Sequence, residues 1–193
     1  YGARMRSEGQ ALHAGLGFER TSPSGVIVGG GVTTGWQWTD SLRSQNVFEP
    51  RIGEASATSG YLTTELHVAQ VFRSGRIFAR PELSASATAL HHAGFTEEGL
   101  DGLGMEGLTE TEVVGRISPE LALGAVLHEG ENSAATLTVT LGADLQSENR
   151  LELPMRFLGA NPAADPAIIG TTLDRESYRL STDLHLIGSD RIG

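Results

Sequence analysis

What most constrains this chain is a period of two. In Ala135–Leu145 every second residue is apolar (Leu137, Val139, Leu141, Ala143, Leu145), and between them stand Thr136, Thr138, Thr140, Gly142 and Asp144. Successive side chains of an extended strand point to opposite faces, so such a run builds a sheet with one apolar and one polar side. The alternation recurs in Ala11–Glu19, Val26–Thr39, Tyr61–Phe72, Arg76–Leu90, Thr109–Leu127, Arg150–Leu158 and Ser177–Ile187. Thr21–Gly25, Arg73–Gly75, His128–Ser133 and Ser147–Asn149 carry the Gly, Pro, Asn and Ser of turns. Asp40–Thr58 and Gly159–Gly170 lose the alternation and read as loops, the first a long one. Pro81, inside an alternating run, would ordinarily mark an edge strand or a bulge.

The polar face narrows the choice of β architecture. It is rich in Ser, Thr and Gly with a few Glu and Arg, as a crowded interior would be, and the strands run longer than those of most soluble sheets. All 14 basic residues are arginine, so no lysine-coated solvent face exists; a biased genome would produce this, as would arginine forks pairing with carboxylates in a polar lumen. Trp36 and Trp38, two positions apart at what reads as a strand end, fit an aromatic girdle at a membrane interface or the cap of a soluble β-core. A mean hydropathy of −0.13 is what alternation yields, and no apolar run approaches a transmembrane helix. A membrane barrel is the favoured reading, since each crossing needs only about ten residues with every second one apolar; a soluble β-sandwich alternates in the same way.

Composition bounds the chemistry. The 193 residues suit one domain, residues 1–193. Without cysteine there is no thiol catalysis, disulfide or Cys-ligated metal, and a formal charge of −10 argues against nucleic acid as a partner. No apolar signal segment opens the chain, which is therefore read as mature or as a piece of something larger. Val26–Gly31 (VIVGGG) looks briefly like a dinucleotide loop, but Thr34 stands where the third glycine belongs and the following Thr-Gly-Trp-Gln-Trp is strand-like. No nucleophile elbow, phosphate-binding loop or zinc-protease motif is present, and no catalytic residue, metal or cofactor is expected. His91, His92 and His128 lie near Glu97, Glu98 and Glu129 in a spacing that fits no ligand set; Glu65 with His67, and Asp183 with His185, read as polar groups of one strand face.

The two longest alternating stretches flank His91–Gly107, HHAGFTEEGLDGLGMEG, which has five glycines in the fourteen residues from Gly94 and acidic groups that are costly to bury. Pro81, Glu82 and Leu83, followed by Gly94, Phe95, Thr96, Glu97 and Gly99 and then a new strand, resemble the autotransporter β-domain, the translocator barrel of type V secretion. The resemblance is sharp over Arg80–Gly107 and rests on strand type and order elsewhere, from about Leu12 to Ile187. It tolerates Pro81 and implies an all-β, antiparallel up-and-down transmembrane barrel, twelve-stranded in the family, of which about eight or nine strands are visible here. The terminal aromatic residue of the family's last strand is missing from the closing SDRIG, and the linker helix that threads the pore is not evident before Ala11, so the domain reads as a fragment lacking terminal strands or as a divergent, shortened relative; the fragment is favoured because an unclosed sheet would leave unpaired edges in lipid.

By resemblance, the barrel would sit in the outer membrane of a Gram-negative bacterium and export or anchor an N-terminal passenger. Its partners would be outer-membrane lipid, its own passenger and linker, and the barrel assembly machinery. Alternation assigns Glu65, Arg80, Glu82, Glu110, Glu112 and Arg116 to the lumen, where they are expected to contact the passing segment. An outer-membrane barrel hydrolase and a stand-alone porin-like channel are the competing functions.

Overall fold

The period of two is realised as one long meander. A computed structural model describes residues 4–46, 50–130, 133–148, 150–161, 163 and 165–188; the N-terminal residues 1–3 and the closing SDRIG lie outside the described residues. The strands are β1 (Arg4–Thr21), β2 (Val26–Asn46), β3 (Pro50–Gln70), β4 (Phe72–Ser74), β5 (Ile77–His92), β6 (Phe95–Thr96), β7 (Met105–Gly107), β8 (Glu110–Glu129), β9 (Ser133–Gln146), β10 (Arg150–Phe157), β11 (Ala167–Thr172) and β12 (Glu176–Gly188). The long strands pair antiparallel in the order β1-β2-β3-β5-β8-β9-β12, with β4 added against β5, and the sheet curls into a half-barrel. A smaller sheet, ordered β11-β10-β7-β6, is built from two of the connections.

Register keeps the faces distinct across the sheet. Directly opposed residues share a face, so Phe18, Gly30, Leu66, Ala85, Ile117 and Leu145 form one apolar row. The adjacent polar row is Gly17, Gly31, Glu65, Ser86, Arg116 and Gln146. The apolar side chains stand open, Leu16 at 87% and Leu180 at 70% exposure, whereas the polar-face Glu82 and Asp144 carboxylates are only 20% and 19% exposed. That asymmetry, with both long connections folding over the polar side, makes the polar face the concave one. An apolar convex face over almost no buried core, the buried hydrophobics among the described residues being Ala69, Leu100 and Met155, is a surface for lipid rather than water. Among the described residues no helix is long and apolar enough to cross a membrane, and the crossings are strands.

Small local rules shape the wall. Pro81 has no N–H for a neighbouring strand, and the pairing of β5 breaks opposite it: β3 ends at Gln70 and β4 resumes at Phe72 in unchanged register. Pro81 therefore sits inside the sheet, paired with Leu121 on its other side, rather than on an outer edge. Pro119 interrupts the β8–β9 ladder between Ile117 and Glu120 in the same way. On the concave face aromatic rings cover glycines of the adjacent strand: a Cβ at Gly124 would lie 2.1 Å from the Phe78 ring, and one at Gly35 would lie 2.6 Å from the Tyr61 ring.

Two expected loops are wrong in extent. Asp40–Thr58 is mostly strand: β2 and β3 continue in register out to Asn46 and Pro50, so Trp36 and Trp38 lie mid-strand and not at a strand end. Within the expected loop Gly159–Gly170 the strand β11 begins at Ala167 and pairs with β10. In outer-membrane barrels short turns face the periplasm and long connections the exterior. The tight connections at Ser22–Gly25 and Gly75 thus mark one end, and residues 93–109 and 147–175 the other.

Candidate functional site: the concave face and its cap

Six charged side chains expected in the lumen, Glu65, Arg80, Glu82, Glu110, Glu112 and Arg116, share the concave face by register, in two groups. Glu65, Arg80, Glu82 and Arg116 belong to a polar belt at mid-sheet. Glu82 lies directly opposite Glu120, a like-charged pair that two arginines relieve. Arg80 pairs with Glu82, and Arg179 reaches Glu120 at 2.9 Å. Arg179 spans a whole strand to do so, because the residue between them is Gly142, where a Cβ would lie 3.3 Å from the guanidinium. Asp144 accepts hydrogen bonds from Ser118 and Ser177 and lies 3.9 Å from Arg179. His67 Nε2 meets Glu19 at 3.3 Å across Gly29, so its acidic partner is on β1, not the neighbouring Glu65.

Glu65 and Arg116 have no ion-pair partner within 4 Å among the described residues. They stand in one row with Ser86 between them, about 10 Å apart at two inter-strand spacings. Glu120, Asp144 and Arg179 complete the belt and were not singled out from sequence. Their parity in the alternating runs marks the face, but only the register across β8, β9 and β12 shows that they meet.

At the exterior end the two long connections pack together against the concave side in a cap built on the GFTE segment. Acidic groups there were expected to stay in water; instead Glu97 is 4% exposed. Arg43, carried inward by the extension of β2, forks onto its carboxylate: Nε donates to Oε1 at 2.8 Å and Nη2 pairs with Oε2. Arg43 also donates to the Leu103 carbonyl at 3.0 Å, and the Met105 N–H donates to Glu97 at 3.0 Å. The hydrogen bonds from Arg43, ahead of that from Met105, hold the Glu97 carboxyl below the usual range despite burial. Leu100, 1% exposed, packs beside it over Gly53, where a Cβ would lie 2.5 Å from Glu97 Oε1.

The motif's other residues each have a mechanical reason. Phe95 lies on Gly107, where a Cβ would be 2.3 Å from the ring. Gly99 has φ +90° and passes so near Ile52 that a Cβ would sit 2.4 Å from its carbonyl oxygen. Glu54 and Glu98 exchange backbone hydrogen bonds of 3.0 and 2.8 Å, which stitch the loop to β3. The second connection joins through β10, which pairs with β7, and through Arg156, whose Nε donates to Glu106 at 2.6 Å.

Glu110 and Glu112 form the second group, beneath this cap. Glu112 Oε1 accepts the Glu152 N–H at 2.6 Å. Two of the three histidines near the connections have plain partners, His91 Nδ1 with Thr111 Oγ1 at 2.8 Å and His128 Nε2 with Ser133 Oγ at 3.0 Å, whereas His92 Nδ1 is buried without one among the described residues. No group of three His, Asp or Glu placed to hold a metal occurs among the described residues. Trp36 and Trp38 lie on the convex face at the exterior edge of the apolar rows, with Asp40 next outward on the same face.

The whole chain, residues 1–193, matches the family model described as the autotransporter beta-domain. No curated protein and no solved structure matches it. A half-barrel meander, apolar outside and ionic inside, is consistent with that match: the chain belongs to the autotransporter β-domain family, an outer-membrane translocator domain.

Proposed function

We propose that this domain exports or anchors an N-terminal passenger by a physical mechanism with no catalytic step of its own. The observation that carries the reading is the split of one continuous sheet into an apolar convex face and an ionic concave face, which offers lipid one side and a polar path the other. Glu65 and Arg116, which have no ion-pair partner among the described residues, are the groups offered to a passing linker, while Arg80 with Glu82 and Arg179 with Glu120 compensate their own charges. Trp36 and Trp38 stand as girdle residues. From Val28 to Trp38 the strand rises about 33 Å, or about 25 Å once tilted by roughly 40°, the height of an outer-membrane apolar band.

β1 and β12 each pair on one side only among the described residues. An open edge is costly in lipid, which supports closure of the wall by pairing at both edges; delivery by the barrel assembly machinery is supported by the family alone. The competing functions, a barrel hydrolase and a stand-alone porin-like channel, predict turnover or ion conductance with no passenger displayed.

The test fuses an epitope-tagged reporter to the N-terminus of the full reading frame and asks whether it becomes protease-accessible on intact cells. Surface display that is slowed when both Glu65 and Arg116 are replaced by bulky leucines supports the reading. A reporter held in the periplasm by a correctly assembled barrel overturns it.

A further inference from the structure

Between the cap and the concave wall lies a cavity of about 510 Å³, within the range of small-molecule sites. Leu90, Leu151, Leu153 and Ile169 give it apolar walls, and Glu110, Glu112 and Glu152 line it without any arginine. Glu152 is matched by Arg150 at 3.3 Å. Glu110 and Glu112 have no cationic partner within 4 Å among the described residues, and both are half-buried. A carboxylate turned toward an apolar cavity has lost part of its hydration, and a cation seated beside it restores the balance. The same wall carries His92, opposite Glu110 in register, whose Nδ1 is buried with no hydrogen-bond partner.

We propose that this cavity binds a small organic cation, an ammonium or guanidinium on an apolar body, with Glu110 and Glu112 receiving the charge and the β10–β11 leucines and isoleucine holding the body. Both walls of the site belong to the described fold. A free amine and a basic side chain of a passing polypeptide share this chemistry.

Tryptamine and tryptophol make a matched pair of probes, with the same indole body bearing an ammonium or a hydroxyl. The full chain in maltoside micelles is titrated by calorimetry, with empty micelles subtracted. Saturable 1:1 binding of tryptamine is expected, at least tenfold tighter than tryptophol. Glu110→Gln with Glu112→Gln is expected to erase that difference while leaving tryptophol unchanged. The His13 ring, whose Nδ1 lies 3.0 Å from the Tyr61 hydroxyl on the cavity wall, is expected to shift in NMR spectra while His128 at the far turn stays still. An Arg-containing tripeptide that binds tighter than tryptamine assigns the site to polypeptide; a weaker one assigns it to free amines. No saturable heat, or equal affinity for the two indoles on the unaltered chain, overturns the proposal even if the double variant fails to fold.

Discussion

Replacing Arg43 by methionine is predicted to spring the cap while leaving the wall intact. The substitution keeps an apolar stem of similar reach and removes both the fork on Glu97 and the donor to Leu103. Removing one partner of a buried ion pair costs about 3–5 kcal/mol, because the other charge stays buried and uncompensated. Here the side chains are 15% and 5% exposed, and Glu97 keeps the Met105 N–H, which places the expected cost near the low end, about 3 kcal/mol. At 1.4 kcal/mol per tenfold, the cap should open about a hundredfold more often.

Hydrogen exchange reads this directly. The Glu97 N–H is bonded to the Met105 carbonyl at 2.8 Å, and the Glu98 N–H to the Glu54 carbonyl at 2.8 Å. Both should exchange about a hundredfold faster, while amides of β8 and β9 keep their rates. Adding Glu97→Gln to the variant should recover part of the protection, since the buried charge is gone. The pH dependence has a definite sign. A carboxyl whose folded pKa is depressed contributes stability above its unfolded value, about 4.3, and loses it as pH falls through the folded one. The gap between the two proteins should be widest at neutral pH and shrink as pH falls, beginning above about 4.3 because without Arg43 the buried Glu97 carboxylate takes up a proton more readily. Unchanged exchange at Glu97 and Glu98, or equal acceleration in β8 and β9, would refute the reasoning.

Other perturbations separate the wall, the motif and the two faces. Gly124→Ala sets a methyl 2.1 Å from the Phe78 ring and should lower stability by about 1–3 kcal/mol, seen as a lower midpoint for loss of the folded band in heated gel samples; Phe78→Ala added to it should restore part of the loss. Gly99→Ala forces a side chain into φ +90° against the Ile52 carbonyl, costs about 1–2 kcal/mol locally, and should speed exchange at Glu98 alone. Leu66→Arg puts a charge on the lipid face and should cost about 2–4 kcal/mol in bilayer refolding, whereas Ser86→Arg, opposite Glu65 on the concave face, should be near neutral.

The strands were legible in the sequence wherever the two faces meet different environments. Leu62, Leu66 and Val68 against Thr63, Glu65 and His67 needed no structure to assign. The signal faded past Thr39 and before Thr58, where only Leu42, Ile52 and a few alanines interrupt polar residues and one face meets the cap instead of an open lumen, yet the backbone ladder continues in register. Alternation reports surroundings, and pairing does not require it. The cap was opaque for another reason. The partner of Glu97 lies 54 positions earlier, and nothing local distinguishes Arg43 from the other arginines. The charged belt was legible by parity but not by contact, because the reach of Arg179 to Glu120 depends on the gap that Gly142 leaves between them.

The central claim is that one sheet divides lipid from a polar interior, and adjacent residues test it most directly. The chain has no cysteine, so single cysteines at Glu65, Leu66, Arg116 and Ile117 are each unique. In outer-membrane vesicles, a small water-soluble maleimide should label positions 65 and 116 rapidly, while a bilayer-confined quencher should reach fluorophores only at 66 and 117. Labelling that fails to alternate between neighbours, or quenching at 65 and 116, would contradict the account.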